Sequence, residues 1–226
     1  MSKFTRPGAA ARPSTPPAAK AAPAKPTSRY KKANQTQLGV DANYQRAGRY
    51  LLLVQRIEEG ETPRGKEAFV AVHSVVLGAD GDERTPLEVR FGGAVHRVGE
   101  STNWFQKTKG DYFDQNMLKF AIAASNMTQD EIAAAEEEQG HTIIDEMVSP
   151  EQPFAGVVLE AHVVVKIKKN GRDLPEDRLT SEHVATVTNW LRRVPYAEVK
   201  ELVEAETLAK FLPDIDEKIA EEAAQG

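Results

Sequence analysis

Residues 50–57 (YLLLVQRI) form an apolar run that gives way at 58–65 to a polar stretch with Gly60, Pro63 and Gly65, the pattern of a largely buried strand ending in a turn. Residues 68–77 (AFVAVHSVVL) repeat the pattern and are followed by turn residues at 78–82. Residues 87–98 predict a third strand with a bulge at Gly92-Gly93, and 101–106 a short extension of it. The period then changes from two to 3.6. Residues 114–126 place Met117, Leu118, Ala121 and Ile122 on one helical face, and Thr128 with Glu131 forms a capping box that opens an Ala/Glu-rich helix ending at Gly140. After Pro150 and Pro153 the β pattern returns at 155–167 and 184–194, separated by a polar loop around Lys168, Lys169, Asn170, Gly171 and Arg172. The last apolar set, Val199, Leu202, Val203, Leu208, Phe211 and Leu212, has helical spacing and predicts one amphipathic helix over 196–212.

Three strands, a helical insertion and two strands make a mainly β fold with α insertions. Its order is that of an OB-like five-stranded Greek-key barrel with mid-chain helices and a C-terminal amphipathic helix. Other small barrels and sandwiches give a similar string, and fold alone does not assign a function. The chain of 226 residues suits one core with extensions at both ends. The reading is a Pro/Ala-rich basic arm over 1–40, an OB-like domain over 41–195, and an amphipathic helix with an acidic tail over 196–226. The first 27 residues have too few apolar side chains to offset the entropy of ordering them, which predicts disorder there.

Charge changes the picture more than composition does. The net charge is −5, which argues against a nucleic-acid partner until its distribution is considered. Residues 1–40 carry eight lysines and arginines and no acid, whereas residues 198–226 carry nine acids against Lys200, Lys210 and Lys218. Opposite charges at the two ends mark interaction segments. The chain has no cysteine, which excludes disulfides, thiolate metal sites and a cysteine nucleophile. With no apolar leader after the first basic residues and no run of the ~20 apolar residues that a span requires, the sequence predicts a cytoplasmic protein without a membrane partner.

Catalytic chemistry finds no support in the spacing. The histidines at 73, 96, 141, 162 and 183 are dispersed, and the single Glu-x-x-His, Glu138 to His141, is interrupted by the helix-ending Gly140. No phosphate-binding Gly-rich loop or nucleophile elbow is present, so the reading is a non-enzymatic protein with no cofactor. Single-strand binding needs other parts, a cationic track for phosphates and aromatic faces for bases. The densest coincidence of the two is residues 104–113, with Trp104, Phe105, Tyr112 and Phe113 interleaved with Lys107 and Lys109 in what reads as a loop after the third strand. A second is Trp190 beside Arg192 and Arg193, and a third the basic loop of Lys166, Lys168, Lys169 and Arg172. By alternation Lys166 and Lys168 share a sheet face while Val163, Val165 and Ile167 take the other. Aromatic residues that fill the core, and lysines solvating an edge strand, would leave the same pattern.

Arg49-Tyr50 opening the first strand, Pro63-Arg64-Gly65-Lys66 before Phe69-Val70-Ala71-Val72-His73, Val98-Gly99-Glu100 before Trp104-Phe105, the helix at 116–123, Gln152-Pro153-Phe154-Ala155-Gly156 before a long strand, and Asn189-Trp190 together resemble bacteriophage-encoded single-stranded-DNA-binding proteins with an OB-fold. The resemblance covers about residues 45–195. It implies a barrel whose face and aromatics hold single-stranded DNA during replication or recombination, and an acidic C-terminal tail that recruits partner enzymes or competes with DNA. This chain also ends in acids, but it reads as helical to about residue 212 and lacks a terminal aromatic tip, so it departs from that pattern. The expected function is sequence-tolerant single-stranded-DNA binding. The alternative is a phage structural or assembly protein whose C-terminal helix makes protein contacts, homo-oligomer contacts among them.

Overall fold

The computed structural model describes residues 44–62 and 67–225. The expected basic arm and the Pro63 to Lys66 turn lie outside these residues. Five strands, β1 (Gly48–Glu61), β2 (Ala68–Asp80), β3 (Ser101–Lys107), β4 (Val158–Ile167) and β5 (Val184–Arg193), form one antiparallel sheet in the order β3-β2-β1-β4-β5. The central β1 pairs with β2 from Arg49 to Glu61 and with β4 over Gly48 to Leu53. Bulges interrupt the β1–β2 register at Leu51/Leu52 and Val54/Arg56 and the β4–β5 register at Glu160/Ala161. Each bulge bends its strand and increases the twist. The sheet curls until Trp104 on β3 and Trp190 on β5, at its two edges, stand 5.4 Å apart between ring centroids.

No hydrogen-bonded ladder joins β3 to β5, so the five strands expected of an OB-like barrel form an open, curled sheet. A short piece of chain stands in the seam instead. Tyr44 forms a parallel bridge with Asn103, the Gln45 N–H donates to the Asn103 carbonyl at 3.3 Å, and the Thr188 hydroxyl of β5 donates to Gln45 Oε1.

The helices are α1 (Pro86–Phe91), α2 (Phe113–Ser125), α3 (Gln129–Gln139), α4 (Ile143–Met147), α5 (Tyr196–Leu202), α6 (Ala205–Phe211) and α7 (Ile215–Gln225). The expected third strand over 87–98 is corrected to α1 and the loop after it, and the expected short extension is β3 itself. Thr85 and Glu88 close a reciprocal capping box around Pro86 at the first helical turn, which commits this stretch to a helix despite its apolar content. The capping box at Thr128 and the left-handed Gly140 bound α3 as the sequence predicts. The single helix expected over 196–212 is three helices that continue to Gln225, broken at Val203 and Pro213.

Helices cover much of both sheet faces. On the concave side Leu52, Val54, Val70, Val72, Leu159 and Ala161 pack with Met117, Phe120 and Ala121 of α2, Ile132 of α3 and Met147 of α4. On the convex side Leu53, Val75, Leu77 and Val158 pack against Val199, Val203, Leu208, Leu212 and Ile215 of the C-terminal helices. The acidic end of the chain is docked there: Glu222 accepts from the Tyr196 backbone N–H at 2.9 Å and pairs with Arg193 at 3.0 Å.

Beyond Leu53, β1 outruns β4, and one side chain takes over the role of the missing strand. Gln152 Oε1 accepts from the Ile57 N–H at 2.7 Å, and its Nε2 donates to the Ile57 carbonyl at 2.9 Å and to that of Ser149 at 2.8 Å. Replacing Gln152 with alanine leaves both backbone groups of Ile57 without these partners. It is expected to cost about 1–3 kcal/mol of unfolding free energy, measured by urea denaturation.

Candidate nucleic-acid interface

Strand alternation divides the aromatic cluster at 104–113. Trp104 lies opposite Val72 and faces the concave core, and Phe105 lies opposite Ala71 and faces the convex side. Trp104 and Trp190 are 7% and 8% exposed, pack edge to face with each other, and both contact Phe120, at 5.9 and 5.0 Å respectively. The expected role of these two tryptophans as base-stacking surfaces is therefore corrected: their rings fill the core. The residues expected to form a loop, 104–107, are strand, and Phe113 begins α2 and packs against the core.

The aromatic surface is built on the other face. Phe69 on β2, Phe105 on β3 and Tyr44 in the seam form a chain of edge-to-face contacts, with centroids 5.6 Å apart for the first pair and 5.3 Å for the second. Phe69 is buried, Phe105 half-buried and Tyr44 56% exposed, so the chain runs from the sheet surface into solvent. The close fit of Phe69 requires glycine on β1, because a Cβ at Gly60 would lie 2.5 Å from its ring. The apolar cluster that Leu53, Val75, Leu77 and Val158 form with the C-terminal helices does not include Phe69, Ala71 or Phe105.

The predicted cations do not form one track. Lys107 ends β3 beside this aromatic chain and pairs with Glu67, while Lys109 and Tyr112 are exposed in the turn that follows. Lys166, Lys168, Lys169 and Arg172 are exposed, but by register they lie past the first residue of β1, at the end of the sheet away from the β1–β2 hairpin. Lys168 Nζ donates to the Glu182 carbonyl at 3.2 Å. Arg192 is held by two carboxylates, Glu160 and Glu198, which offset its charge.

Tyr44 escaped the sequence reading because 59 residues separate it from Asn103, its bridge partner. Its position depends on His96, a buried side chain whose Nε2 lies 3.1 Å from the Tyr44 carbonyl and whose Nδ1 lies 3.1 Å from Glu100. The bond from His96 holds the Glu100 carboxyl below the usual carboxylate range; His73 does the same to Glu58, and Arg192 to Glu198. A carboxylate with a lowered folded-state pKa stabilises the fold while ionised. That stabilisation is complete above the unfolded value of about 4.3 and is lost as pH falls through the folded value. The urea midpoint is expected to decline below about pH 4.3, and Glu100→Gln should make that decline shallower.

Among the described residues no three His, Asp or Glu side chains are grouped to hold a metal ion, and no helix is long and apolar enough to cross a membrane. No family model matches the chain, and no curated protein sequence matches it.

Proposed function

We propose that the protein binds single-stranded DNA in a sequence-tolerant manner, on the convex face of β2 and β3. The observation that carries this reading is the aromatic chain Phe69, Phe105 and Tyr44, which runs into solvent beside Lys107 at a part of the sheet outside the apolar cluster of the C-terminal helices. Aromatic faces next to cations serve any base, because every base has a π-face. An OB-like reading of the fold is consistent with the curled five-stranded sheet, since OB barrels are partly open and use the face of their second and third strands and the loop between the first two for oligonucleotides. The resemblance to phage-encoded single-stranded-DNA-binding proteins supports DNA as the strand, with replication or recombination as its setting.

The charge distribution shapes the expected binding. Residues 41–226 hold 21 basic and 34 acidic side chains, so the body of the chain repels phosphates at long range, while residues 1–40 add eight cations. Fluorescence-anisotropy titration of the full chain against a labelled single strand, with duplex of the same sequence alongside, tests the reading. Preference for the single strand and a steep loss of affinity with salt are expected, and deleting residues 1–40 should flatten the salt dependence. Equal affinity for duplex, or no binding to either, rejects it.

A further inference from the structure

We infer that the seam between β3 and β5 is a pocket for one unstacked nucleobase, which gives an otherwise sequence-tolerant binder a preference at one position; this rests on the single-strand reading above. A cavity of 330 Å³ lies beneath Tyr44 where the sheet fails to close, lined by Gln45, Asn103, Phe105, Gln106, Thr186 and Thr188 among others. Its size is at the small end of ligand pockets, suited to a single heterocycle.

The lining is neutral. Among the described residues no lysine, arginine, histidine or carboxylate contributes to it, so a phosphate finds no charged partner among them, whereas a base edge finds both donors and acceptors. Gln106 Oε1 accepts from Asn116 Nδ2 at 2.8 Å, which leaves the Gln106 amino group to donate. The Thr188 hydroxyl gives its proton to Gln45 Oε1 and retains its lone pairs as acceptors. Gln45 is 6% exposed, and its Nε2 has no hydrogen-bond partner among the described residues. A buried donor in that condition costs free energy, which an acceptor atom of a ligand hydrogen-bonded to it would recover. Tyr44 and Phe105, inclined at 65°, make an aromatic corner at the rim, so that a base lying on one ring meets the edge of the other. The Watson–Crick edge of a flipped base needs this combination of a stacking surface with amides and hydroxyls in reach.

Oligonucleotides built of abasic deoxyribose residues, carrying one central A, C, G or T or no base at all, separate the pocket from the wider face. Anisotropy titration of the full chain is expected to show at least one base raising affinity over the fully abasic strand by about fivefold or more. In Gln106→Leu/Thr188→Val, which removes the donor and the acceptor offered to the base edge, the four bases should fall within about twofold of one another, with affinity for the fully abasic strand unchanged. A base preference that survives in this variant overturns the proposal, as does the absence of any preference in the unmodified chain while ordinary single strands still bind. Failure to bind ordinary single strands overturns the parent reading instead. Should the variant unfold, the side-chain amide resonances of Asn103 and Gln106 in the unmodified chain decide the matter: they shift with a one-base strand and not with the abasic one if the pocket holds the base, and they respond equally to both if it does not.

Discussion

Replacing Trp104 with alanine is expected to lower the unfolding free energy by about 3–5 kcal/mol, the range for truncating a buried aromatic residue. The size of the effect follows from where the ring lies. Trp104 stacks at 21° on Phe120 and meets Trp190 edge-on, and Phe120 in turn touches Trp190 and Phe154, so removing one indole opens a cavity bordered by parts of β3, β5 and α2. These rings also brace the two sheet edges against each other where no backbone ladder does. The loss should therefore appear as a lower urea midpoint and also as weakened amide protection of β3 and β5. The two tryptophans differ in one respect. The Trp190 indole N–H is buried without a hydrogen-bond partner among the described residues, whereas that of Trp104 is not in this condition. Trp190→Phe removes an unsatisfied donor along with volume and should cost less than Trp104→Phe. Equal losses would show that the Trp190 N–H is satisfied in solution.

Replacing Tyr44 with alanine should leave the urea midpoint nearly unchanged while weakening single-strand binding by about 1–3 kcal/mol, the range for a stacking residue. The ring is more than half exposed and contributes its backbone to the seam, through the bridge to Asn103 and the bond from His96, so truncation spares the contacts that hold the segment. Among the described residues, its aromatic contact is the edge-to-face meeting with Phe105. Phe105→Ala is a less clean variant because that ring also packs on Phe69. Anisotropy titration of Tyr44→Ala against the same single strand used for the unmodified chain checks the expectation, and undiminished affinity would move the stacking surface away from the seam.

The contrast between Trp104 and Tyr44 shows how far the sequence reaches. That residues 104–113 combine aromatic rings and cations is visible in the string, but adjacent residues of a strand point to opposite faces, and only pairing with Val72 and Ala71 decides which ring is inside. Tyr44 carried no local signal at all, since its neighbours in space, Asn103, Phe105 and His96, come from other parts of the chain. The third strand shows a different failure. The Thr85-Pro86-Leu87-Glu88 capping signal stood in the sequence beside an apolar run of the kind strands use, and the reciprocal cap prevailed. Pro213 likewise marked a break in the C-terminal helices that their apolar spacing concealed.

The sequence by itself determined the runs that become β1, β2, β4 and β5, the two helices between 113 and 139 with the caps of the second, and the opposite charges of the two ends. These depend on periodicity and hydrogen bonds within a few residues. The curl of the sheet, its open seam, the burial of both tryptophans and the exposure of Tyr44 were decided only by tertiary structure. Bulges add twist strand by strand, and which edges meet depends on the accumulated rotation and on contacts between residues as far apart as Gln45 and Thr188, which no local pattern encodes.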